Sequence, residues 1–584
     1  MGESSPAAVP AAVGSQPSLP VRASNGTPAL NGSAKFKCAD QYLGQGRPMK
    51  IIVVGAGLSG IAAVKIFKDT FTDGSVELVI YEKNSDVTGT WLENRYPGCA
   101  CDVPAHAYTF SWEGNPRWSR AYVGSPELYE YFKGRAVAYG VDKFVKLNSR
   151  VKEAVWNESE GKWKVQIEDV TSGTTFSDEA EVLINAAGFL NKWKMPDIPG
   201  LESFRGKLIH SAQWDEAYSL DDKVVGIIGT GSSAIQIIPQ IQLKVKHLTS
   251  FIRSSTWITP EFAAEFAPEG RTAFFSERQK DEWAQDKDKF LEYRKKVEST
   301  MNKFFDMQFK DSTLQKDAYE NFRKTMRERL SRKPELAELM IPTFGVGCRR
   351  VTPGHGYLEA LTEDNVTVRS DGIAAITEDG VRMNKGDTIK LDVLICATGF
   401  DTSFRPPFPL IGREGRDLRD EWAEEPRSYC SIAALNMPNY FIISGPNFPL
   451  ANGCLLPCLE TNIQYAFTAV QKLRYDSIKA VVPKPQAVDD FQEFKDALME
   501  DLVWTDHCVS WYKNGKAEGK VWGPWPGSSL SYLELMARPR WEDWDFTYLR
   551  PNRFSFLGRG KTERECCGGD LAYYLTEPGA AKTA

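Results

Sequence analysis

Two segments of the chain repeat one order of elements: a buried strand, a glycine-rich turn, a helix and a second strand. In the first segment the apolar run at 51–54 precedes Gly55-Ala56-Gly57-Leu58-Ser59-Gly60 and a helical pattern. A continuous apolar run is typical of a strand buried on both faces of a parallel sheet. The second strand of this segment, Val76–Tyr81, ends at Glu82. This order restricts the chain to an α/β fold.

The three glycines and the glutamate of this first segment each have a different role in binding a dinucleotide. Gly55 permits the tight turn, Gly57 lets a pyrophosphate approach the backbone, and Gly60 allows the helix to pack closely on the strand. The helix N-terminus offers free N–H groups and a positive dipole to phosphates. Glu82 is placed to accept hydrogen bonds from ribose hydroxyls. We therefore predict a dinucleotide site here.

The second segment has the same order but a different ending. Its strand is Val224–Ile228, and the following strand, at 248–252, ends in Arg253 where the first segment has Glu82. The helix contains Pro239, which should shorten or kink it. The turn between the first strand and this helix consists of Gly229, Thr230, Gly231, Ser232, Ser233 and Ala234, with alanine in place of the third glycine.

The exchange of an acid for Arg253 indicates two different nucleotides. A carboxylate favours a free ribose 2′-hydroxyl, whereas a guanidinium can hold a 2′-phosphate by two hydrogen bonds. The first site is therefore predicted to bind FAD and the second NADPH, which suggests a flavin that is reduced by a pyridine nucleotide. The alternative is that Arg253 is a solvated surface residue.

The predicted fold is α/β with two Rossmann-like dinucleotide-binding domains, the second inserted in the first and carrying a helical insertion. The expected division is a disordered N-terminal tail at 1–46, the first part of the FAD domain at 47–200, the NADP domain at 201–395 with a charged, helix-prone insertion at about 265–340, the second part of the FAD domain at 396–552, and a C-terminal tail at 553–584. Within the insertion, helices are expected over 275–305 and 314–339.

Composition limits the class of partner. A net charge of −6 over 584 residues gives no general attraction to nucleic acid or an anionic membrane, and no run approaches 18 apolar residues. The 11 scattered cysteines do not indicate a disulfide framework, so reduced thiols and a cytoplasmic setting are expected. The five histidines lie apart from the cysteine pairs, so no metal site is expected. The partner should be a small molecule, and nothing indicates the oligomeric state.

Between the two segments, residues 204–215 read Phe-Arg-Gly-Lys-Leu-Ile-His-Ser-Ala-Gln-Trp-Asp. This stretch resembles FxGxxxHxxxW[PD], the fingerprint of Baeyer–Villiger monooxygenases. A second motif of that family is matched by Gly89, Trp91, Tyr96, Pro97, Gly98 and Asp102, although Thr88 departs from its first position. The resemblance runs from about residue 50 to about residue 552. The run at 347–354 is similar to the fungal branch of the family, some of whose members accept bulky polycyclic ketones.

The resemblance implies the following reaction. NADPH reduces FAD, O2 adds to flavin C4a, and the resulting peroxide attacks a ketone to give an ester or lactone, in fungal secondary metabolism. Arg350 matches the family's essential arginine, whose fixed charge stabilises the anionic peroxide. Asp102 matches the acid that pairs with that arginine and also contributes to cofactor binding. The alternative for Arg350 is a surface salt bridge.

The resemblance also assigns cofactor contacts. Arg253, Ser254 and Arg349 match the group around the NADPH 2′-phosphate, and Thr90, Trp91, Tyr108 and Val151 match positions that line FAD. His210 fits an interdomain structural or hinge task better than a catalytic one. Trp511 is either an aromatic residue beside NADP or a core tryptophan.

Two other functions remain open at this point. One is a flavin monooxygenase that oxidises nitrogen or sulfur, against which Trp214 and Arg350 both count. The other is a non-catalytic redox sensor that binds the nucleotides and signals through domain movement.

Overall fold

The computed structural model describes residues 36–575; residues 1–35 and 576–584 of the expected tails lie outside the described range. Two compact units divide the chain. The larger unit is Gly44–Phe556, and the smaller one combines the described residues at the two ends, 36–43 and 557–575. In the smaller unit Leu43 forms a parallel bridge with Thr562, whose hydroxyl caps a short helix.

Strands and α-helices occur throughout the described part of the chain. The strands are β1 (Met49–Val54), β2 (Val76–Tyr81), β3 (Val145–Lys146), β4 (Ser149–Asn157), β5 (Lys162–Asp169), β6 (Thr175–Ala180), β7 (Val182–Asn185), β8 (Lys207–His210), β9 (Val224–Ile228), β10 (His247–Phe251), β11 (Ile258–Thr259), β12 (Thr352–Pro353), β13 (Val366–Arg369), β14 (Ile373–Thr377), β15 (Gly380–Met383), β16 (Thr388–Lys390), β17 (Val393–Cys396), β18 (Leu410–Ile411), β19 (Ser428–Tyr429), β20 (Ala433–Ala434), β21 (Tyr440–Ile442), β22 (Ile478–Pro483) and β23 (Trp544–Tyr548). The α-helices are α1 (Leu58–Thr70), α2 (Thr90–Glu93), α3 (Ser125–Tyr139), α4 (Ser232–Ile241), α5 (Glu277–Gln285), α6 (Lys287–Asn302), α7 (Thr313–Arg329), α8 (Glu335–Met340), α9 (Tyr357–Leu361), α10 (Leu418–Glu421), α11 (Leu455–Tyr475), α12 (Pro485–Met499), α13 (Ser529–Met536) and α14 (Glu563–Cys566).

The first large sheet is parallel, with strand order β21-β7-β1-β2-β3. Its central strand β1 is buried on both faces: Ile51, Ile52 and Val53 are fully buried. The apolar runs at 51–54 and Val76–Tyr81 therefore form the expected strands. β21 comes from much later in the chain than the other four strands, so this domain is built from two separated stretches of sequence.

The second large sheet is also parallel, with strand order β13-β10-β9-β17-β8. All five strands lie between β7 and β21 in the chain, so this domain is inserted in the first. The α/β fold with two Rossmann-like domains, one inserted in the other, is confirmed. Helix α4 contains Pro239 and ends two residues later, at Ile241, as the proline led us to expect.

The helical insertion consists of α5, α6, α7 and α8, which lie between β11 and β12 in the chain. The expected helix over 275–305 is broken at Asp286, where φ is −110° and ψ is 94°. The Asp286 side chain accepts a hydrogen bond from the Lys289 backbone N–H and so begins α6. Aspartate is a preferred N-cap, which explains the break.

Smaller sheets, mostly with antiparallel pairing, and one long helix complete the larger unit. The sheet β18-β4-β5-β6 lies beside the first large sheet, and helix α11 packs on α1 through Phe67 and Phe467. None of the described helices is long and apolar enough to cross a membrane.

Candidate functional site

The first glycine turn has the shape that a dinucleotide site requires. Gly55 follows β1 with φ of 103°, and a Cβ there would lie 2.7 Å from the Ala186 carbonyl oxygen. A Cβ on Gly60 would lie 2.4 Å from the Gly55 oxygen, because α1 packs closely on the turn. Gly57 is the N-cap of α1 and makes no side-chain capping bond, so the first N–H groups of this helix are available to phosphate oxygens.

Glu82, at the end of β2, holds this turn. Its carboxylate accepts hydrogen bonds from the backbone N–H groups of Ala56 (2.7 Å) and Asn84 (2.8 Å). Burial raises the pKa of Glu82, while these two bonds oppose the change by stabilising the charged form. Each carboxylate oxygen has further accepting capacity, so a ribose hydroxyl could be bound at the same time.

The second glycine turn repeats the first in detail. Gly229 follows β9 with φ of 132°, and a Cβ there would lie 2.4 Å from the Ala397 carbonyl oxygen. Gly231 is the N-cap of α4 and again makes no side-chain capping bond. Ala234, in the place of the third glycine, is fully buried. Two of the remaining turn residues bond to neighbouring segments. The Thr230 hydroxyl donates to the Ser254 carbonyl (3.2 Å), and Ser232 Oγ lies 2.9 Å from Thr352 Oγ1. Ser233 lies in the first turn of α4.

Two guanidinium groups come together beside this second turn. Arg349 donates to Ser254 Oγ (3.0 Å) and to the Ser255 carbonyl (3.1 Å), which places it on the segment after β10. Burial, and then the positive charge of Arg253, lower the pKa of Arg349. Arg253 itself is exposed. Two like charges repel in the absence of an anion, so this group is suited to a doubly charged phosphate.

Arg350 and Asp102 form an ion pair between segments that are 248 residues apart. Arg350 Nη2 lies 3.0 Å and 2.7 Å from the two carboxylate oxygens of Asp102, and Nη1 donates to the Leu450 carbonyl (3.3 Å). The Asp102 side chain is 15% exposed and that of Arg350 is 35% exposed. The Asp102 charge raises the pKa of Arg350 above its usual value, against the opposing effect of burial. The Arg350 guanidinium is thus fixed in position, permanently charged and partly exposed to solvent.

The four positions expected to line FAD lie near the first glycine turn in different ways. Trp91, in α2, is buried and meets Tyr108 edge-on at 5.6 Å between ring centroids. Thr90 is exposed at the start of the same helix. Val151 is buried in β4, in the apolar cluster that contains Val54 at the end of β1.

The fingerprint at 204–215 lies at the start of the inserted domain and includes β8 of the second sheet. A Cβ on Gly206 would lie 2.5 Å from the Phe204 ring, which explains the spacing of these two residues. His210 is buried at the end of β8, where its ring stacks on Trp193 at 4.9 Å and approaches Phe400 at 6.5 Å. Burial lowers the pKa of His210. Trp193 and Phe400 follow β7 and β17 respectively, so His210 contacts both chain connections between the domains.

Comparisons with known proteins agree with this geometry. A family model described as flavin-binding monooxygenase-like matches residues 48–321. The FAD-binding monooxygenase tazF of Aspergillus terreus is 39% identical, over 91% of this chain and 95% of its own. The chain belongs to the flavin-binding monooxygenase family.

Within this flavin-binding monooxygenase family, a Baeyer–Villiger monooxygenase of Pseudomonas aeruginosa is 31% identical, over 87% of this chain and 94% of its own. Among solved structures, cyclohexanone monooxygenase from Rhodococcus sp. Phi1 bound to NADP+ is 26% identical, with a TM-score of 0.74, and covers 86% of this chain and 100% of its own.

Several functional contacts of this flavin-binding monooxygenase carry no local sequence signal. Arg271 donates to the Cys101 carbonyl (3.3 Å) and pairs with Glu261 (3.0 Å), so it supports the segment just before Asp102. Arg294 in α6 donates to the Phe110 carbonyl (3.0 Å) and to Thr109 Oγ1 (3.2 Å), which fixes the helical insertion on the first domain. The bonds that these two arginines make to carbonyl groups join residues at least 170 positions apart.

The expectation of reduced thiols throughout is wrong for one pair. Cys348 and Cys508 form a disulfide across 160 residues, and both are buried. Nine further cysteines are free. The described residues include no group of three or more histidine, cysteine, aspartate or glutamate side chains that could hold a metal ion.

A cavity of about 420 Å³ lies at the first sheet. It lies where β7 and β21 end, and its lining includes Gly188, Phe189, Phe404, Ser444 and Gly445. Phe189 stacks on Phe404 at 5.8 Å and on Trp511 at 5.6 Å. Trp511 is partly buried and also packs against the apolar cluster that contains Val503 and Trp504.

Proposed function

We propose that this protein is an FAD-dependent, NADPH-consuming Baeyer–Villiger monooxygenase that inserts one oxygen atom of O2 beside a ketone carbonyl. The product is an ester or a lactone. The observation that carries the proposal is the Arg350–Asp102 pair, which holds a permanent positive charge in a partly open position at the junction of both domains' loops. The fingerprint with Trp214 and the Baeyer–Villiger relative support the same activity.

The residues present fit both nucleotides. Each parallel sheet ends in a glycine turn, and the N-terminus of the following helix has no side-chain cap, as phosphate binding requires. Glu82 would hold the FAD ribose, and Trp91 and Tyr108 would face the flavin. Arg253, Arg349 and Ser254 would hold the 2′-phosphate of NADPH. When bound and reduced, the flavin supplies the activated form of O2.

Arg350 supplies the electrostatic part of the reaction. Negative charge develops on oxygen during the attack on a ketone, and a fixed cation in a water-poor cleft stabilises that charge more than bulk water does. Asp102 orients the guanidinium by accepting two hydrogen bonds from one nitrogen, and the Leu450 carbonyl fixes the other nitrogen. The cation therefore needs no reorganisation at the moment of reaction.

The proposal is tested with a panel of cyclic and polycyclic ketones, supplied with NADPH and ¹⁸O2. We expect products that are heavier by one labelled oxygen and that alkali hydrolyses as esters. Each product should consume one NADPH. Mass spectrometry of the hydrolysed fragments identifies the side of the carbonyl at which oxygen enters.

The same assay separates the proposal from oxidation of nitrogen or sulfur. Amines and thioethers are included in the panel at matched concentrations. If these are oxidised while every ketone is refused, the Baeyer–Villiger activity is rejected in favour of the second class. If the protein binds FAD, and is therefore yellow, but consumes no NADPH with any compound, a nucleotide-binding sensor is the remaining explanation.

A further inference from the structure

The Cys348–Cys508 disulfide joins the two segments that carry the proposed nucleotide contacts. Cys348 directly precedes Arg349 and Arg350 in the chain, and Cys508 lies shortly before Trp511. Both half-cystines are buried, with 0% and 3% of their surface exposed. The bond therefore fixes residues 345–350, which we call the arginine segment, to the segment that contains the half-buried Trp511.

The second segment, residues 506–523, forms a compact loop; we call it the aromatic loop. The Asp506 carboxylate accepts a hydrogen bond from the Gly345 N–H (2.9 Å), next to the disulfide. Lys513 Nζ donates to the Ala517 carbonyl (2.8 Å), and the Trp522 N–H donates to the Tyr512 carbonyl (2.7 Å). The loop is thus folded on itself and anchored to the arginine segment at Cys348 and Gly345.

The aromatic loop reaches the site from this anchor. Tyr512 is buried close to Arg350, and the positive charge of Arg350 partly offsets the rise that burial causes in the pKa of Tyr512. Trp511 stacks on Phe189 with an angle of 20° between the ring planes. The loop therefore covers the space between Arg350 and the connection that follows β7.

We propose that the Cys348–Cys508 disulfide is a positioning device that holds the aromatic loop against Arg349 and Arg350, so that the oxidised nicotinamide nucleotide stays bound during oxygen transfer. This inference rests on the proposed function for the identity of the nucleotide. Cys348 and Cys508 act through Arg350 and Trp511 and do not themselves touch the reacting atoms.

The bond forms by a balanced two-electron oxidation. The two thiols lose two electrons and two protons to hydrogen peroxide, which is reduced to two water molecules, and one S–S bond replaces two S–H bonds. A dithiol reverses the step: it is oxidised to its own disulfide, and two thiols are restored here. Because both sulfur atoms are buried, exchange requires the aromatic loop to open first.

The experiment compares wild type with Cys348→Ser, Cys508→Ser and the double variant, all as FAD-loaded full-length protein. Cys458→Ser is the matched control, since Cys458 is also buried and its sulfur donates to the carbonyl of Cys454, the N-cap of its own helix (3.5 Å). Alkylation of the unfolded protein without reductant, followed by peptide mass spectrometry, should find Cys348 and Cys508 cross-linked. Free, alkylated Cys348 and Cys508 would overturn the proposal at once.

The functional measurements are the Kd of NADP+, by titration of the flavin absorbance, and the fraction of consumed NADPH that appears as hydrogen peroxide. We expect the three variants to raise the Kd by about tenfold, the effect of one lost well-placed hydrogen bond, and to release more peroxide. The maximum rate of flavin reduction should stay within about twofold of wild type. Dithiothreitol should raise the Kd and the peroxide fraction of wild type toward the values of the three variants. The same two values of the variants should not change.

A purely structural disulfide gives a different result. The melting temperature of the variants would then fall while the Kd and the peroxide fraction remain those of wild type, and the positioning role would be rejected. The NADP+ titration needs no ketone, so this result is distinct from a failure of the Baeyer–Villiger assignment.

Discussion

The Arg350 guanidinium is the single group on which the proposed oxygen transfer most depends. Arg350→Ala removes the fixed charge but touches neither glycine turn, so the variant should bind FAD and allow NADPH to reduce it at a normal rate. Oxygen insertion should fall by about 10²- to 10³-fold, the usual effect of losing a preorganised charge. Stopped-flow absorbance measures the reduction, and chromatography measures the ester.

The control for this prediction is Arg332→Ala. Arg332 forms an exposed ion pair with Glu363, and its loss should leave both steps unchanged. Full ketone turnover by Arg350→Ala would show that the guanidinium has no part in the chemistry.

Arg253 is the residue that we propose distinguishes NADPH from NADH. It is exposed beside Arg349, and only NADPH carries the 2′-phosphate that the pair would bind. Arg253→Ala should raise the KM for NADPH by about 10-fold, corresponding to one charge-assisted hydrogen bond of about 1.4 kcal/mol. The KM for NADH should stay the same. Lys246→Ala removes an equally exposed charge from the same domain and serves as the control.

At the scale of elements, helices α6 and α11 meet through a buried acid. Glu460 in α11 accepts a hydrogen bond from the Ser111 N–H (2.9 Å), and burial raises its pKa to about 7, with Glu298 of α6 adding to the rise and Arg294 opposing it. A carboxyl whose pKa is raised on folding favours the folded state below pH 4.5. This contribution is lost as pH rises from about 4.5 through about 7, because the unfolded chain releases the proton over this range while the folded protein retains it.

Glu460→Gln should remove this pH dependence. The amide oxygen can still accept from Ser111, and no buried charge forms at high pH. We expect the variant to exceed the free energy of unfolding of wild type only slightly near pH 5 and by up to about 3 kcal/mol above pH 7. Thermal unfolding of both proteins between pH 5 and 8.5 is the measurement. A constant difference across this range would contradict the assignment of the ionisation to Glu460.

Elements that depend on nearby residues could be predicted from the sequence, and those that depend on distant partners could not. The apolar runs gave β1, β2 and β9, and Pro239 explained the short α4. In contrast, the break at Asp286 overrides a helical pattern through one capping bond. The disulfide and the docking of Arg294 on Phe110 join residues at least 160 positions apart, and such pairings leave no local periodicity.

At the scale of the whole molecule, two chain connections join the nucleotide domains, and His210 lies between them. Its ring stacks on Trp193 of one connection and approaches Phe400 of the other, while Trp193 and Phe400 themselves form an antiparallel bridge. Each glycine turn also packs against the start of a connection, since Gly55 meets Ala186 and Gly229 meets Ala397. A change in the angle between the domains would therefore alter the packing of both glycine turns.

His210→Ala tests whether this histidine sets the relation between the domains or takes part in the chemistry. Loss of the ring loosens both connections, so we expect flavin reduction by NADPH and oxygen insertion to slow together, by about 3- to 10-fold, corresponding to roughly 0.7–1.4 kcal/mol in each barrier. FAD should remain bound. His247→Ala, at a histidine bonded to Thr367 on the second sheet, should change neither rate. If flavin reduction stays normal while oxygen insertion alone is lost and its pH profile shifts, His210 acts on the reacting atoms and the hinge assignment fails. The hinge assignment instead requires the rates of flavin reduction and of oxygen insertion to fall together. The reason is that the same two connections bring both NADPH and substrate to one flavin.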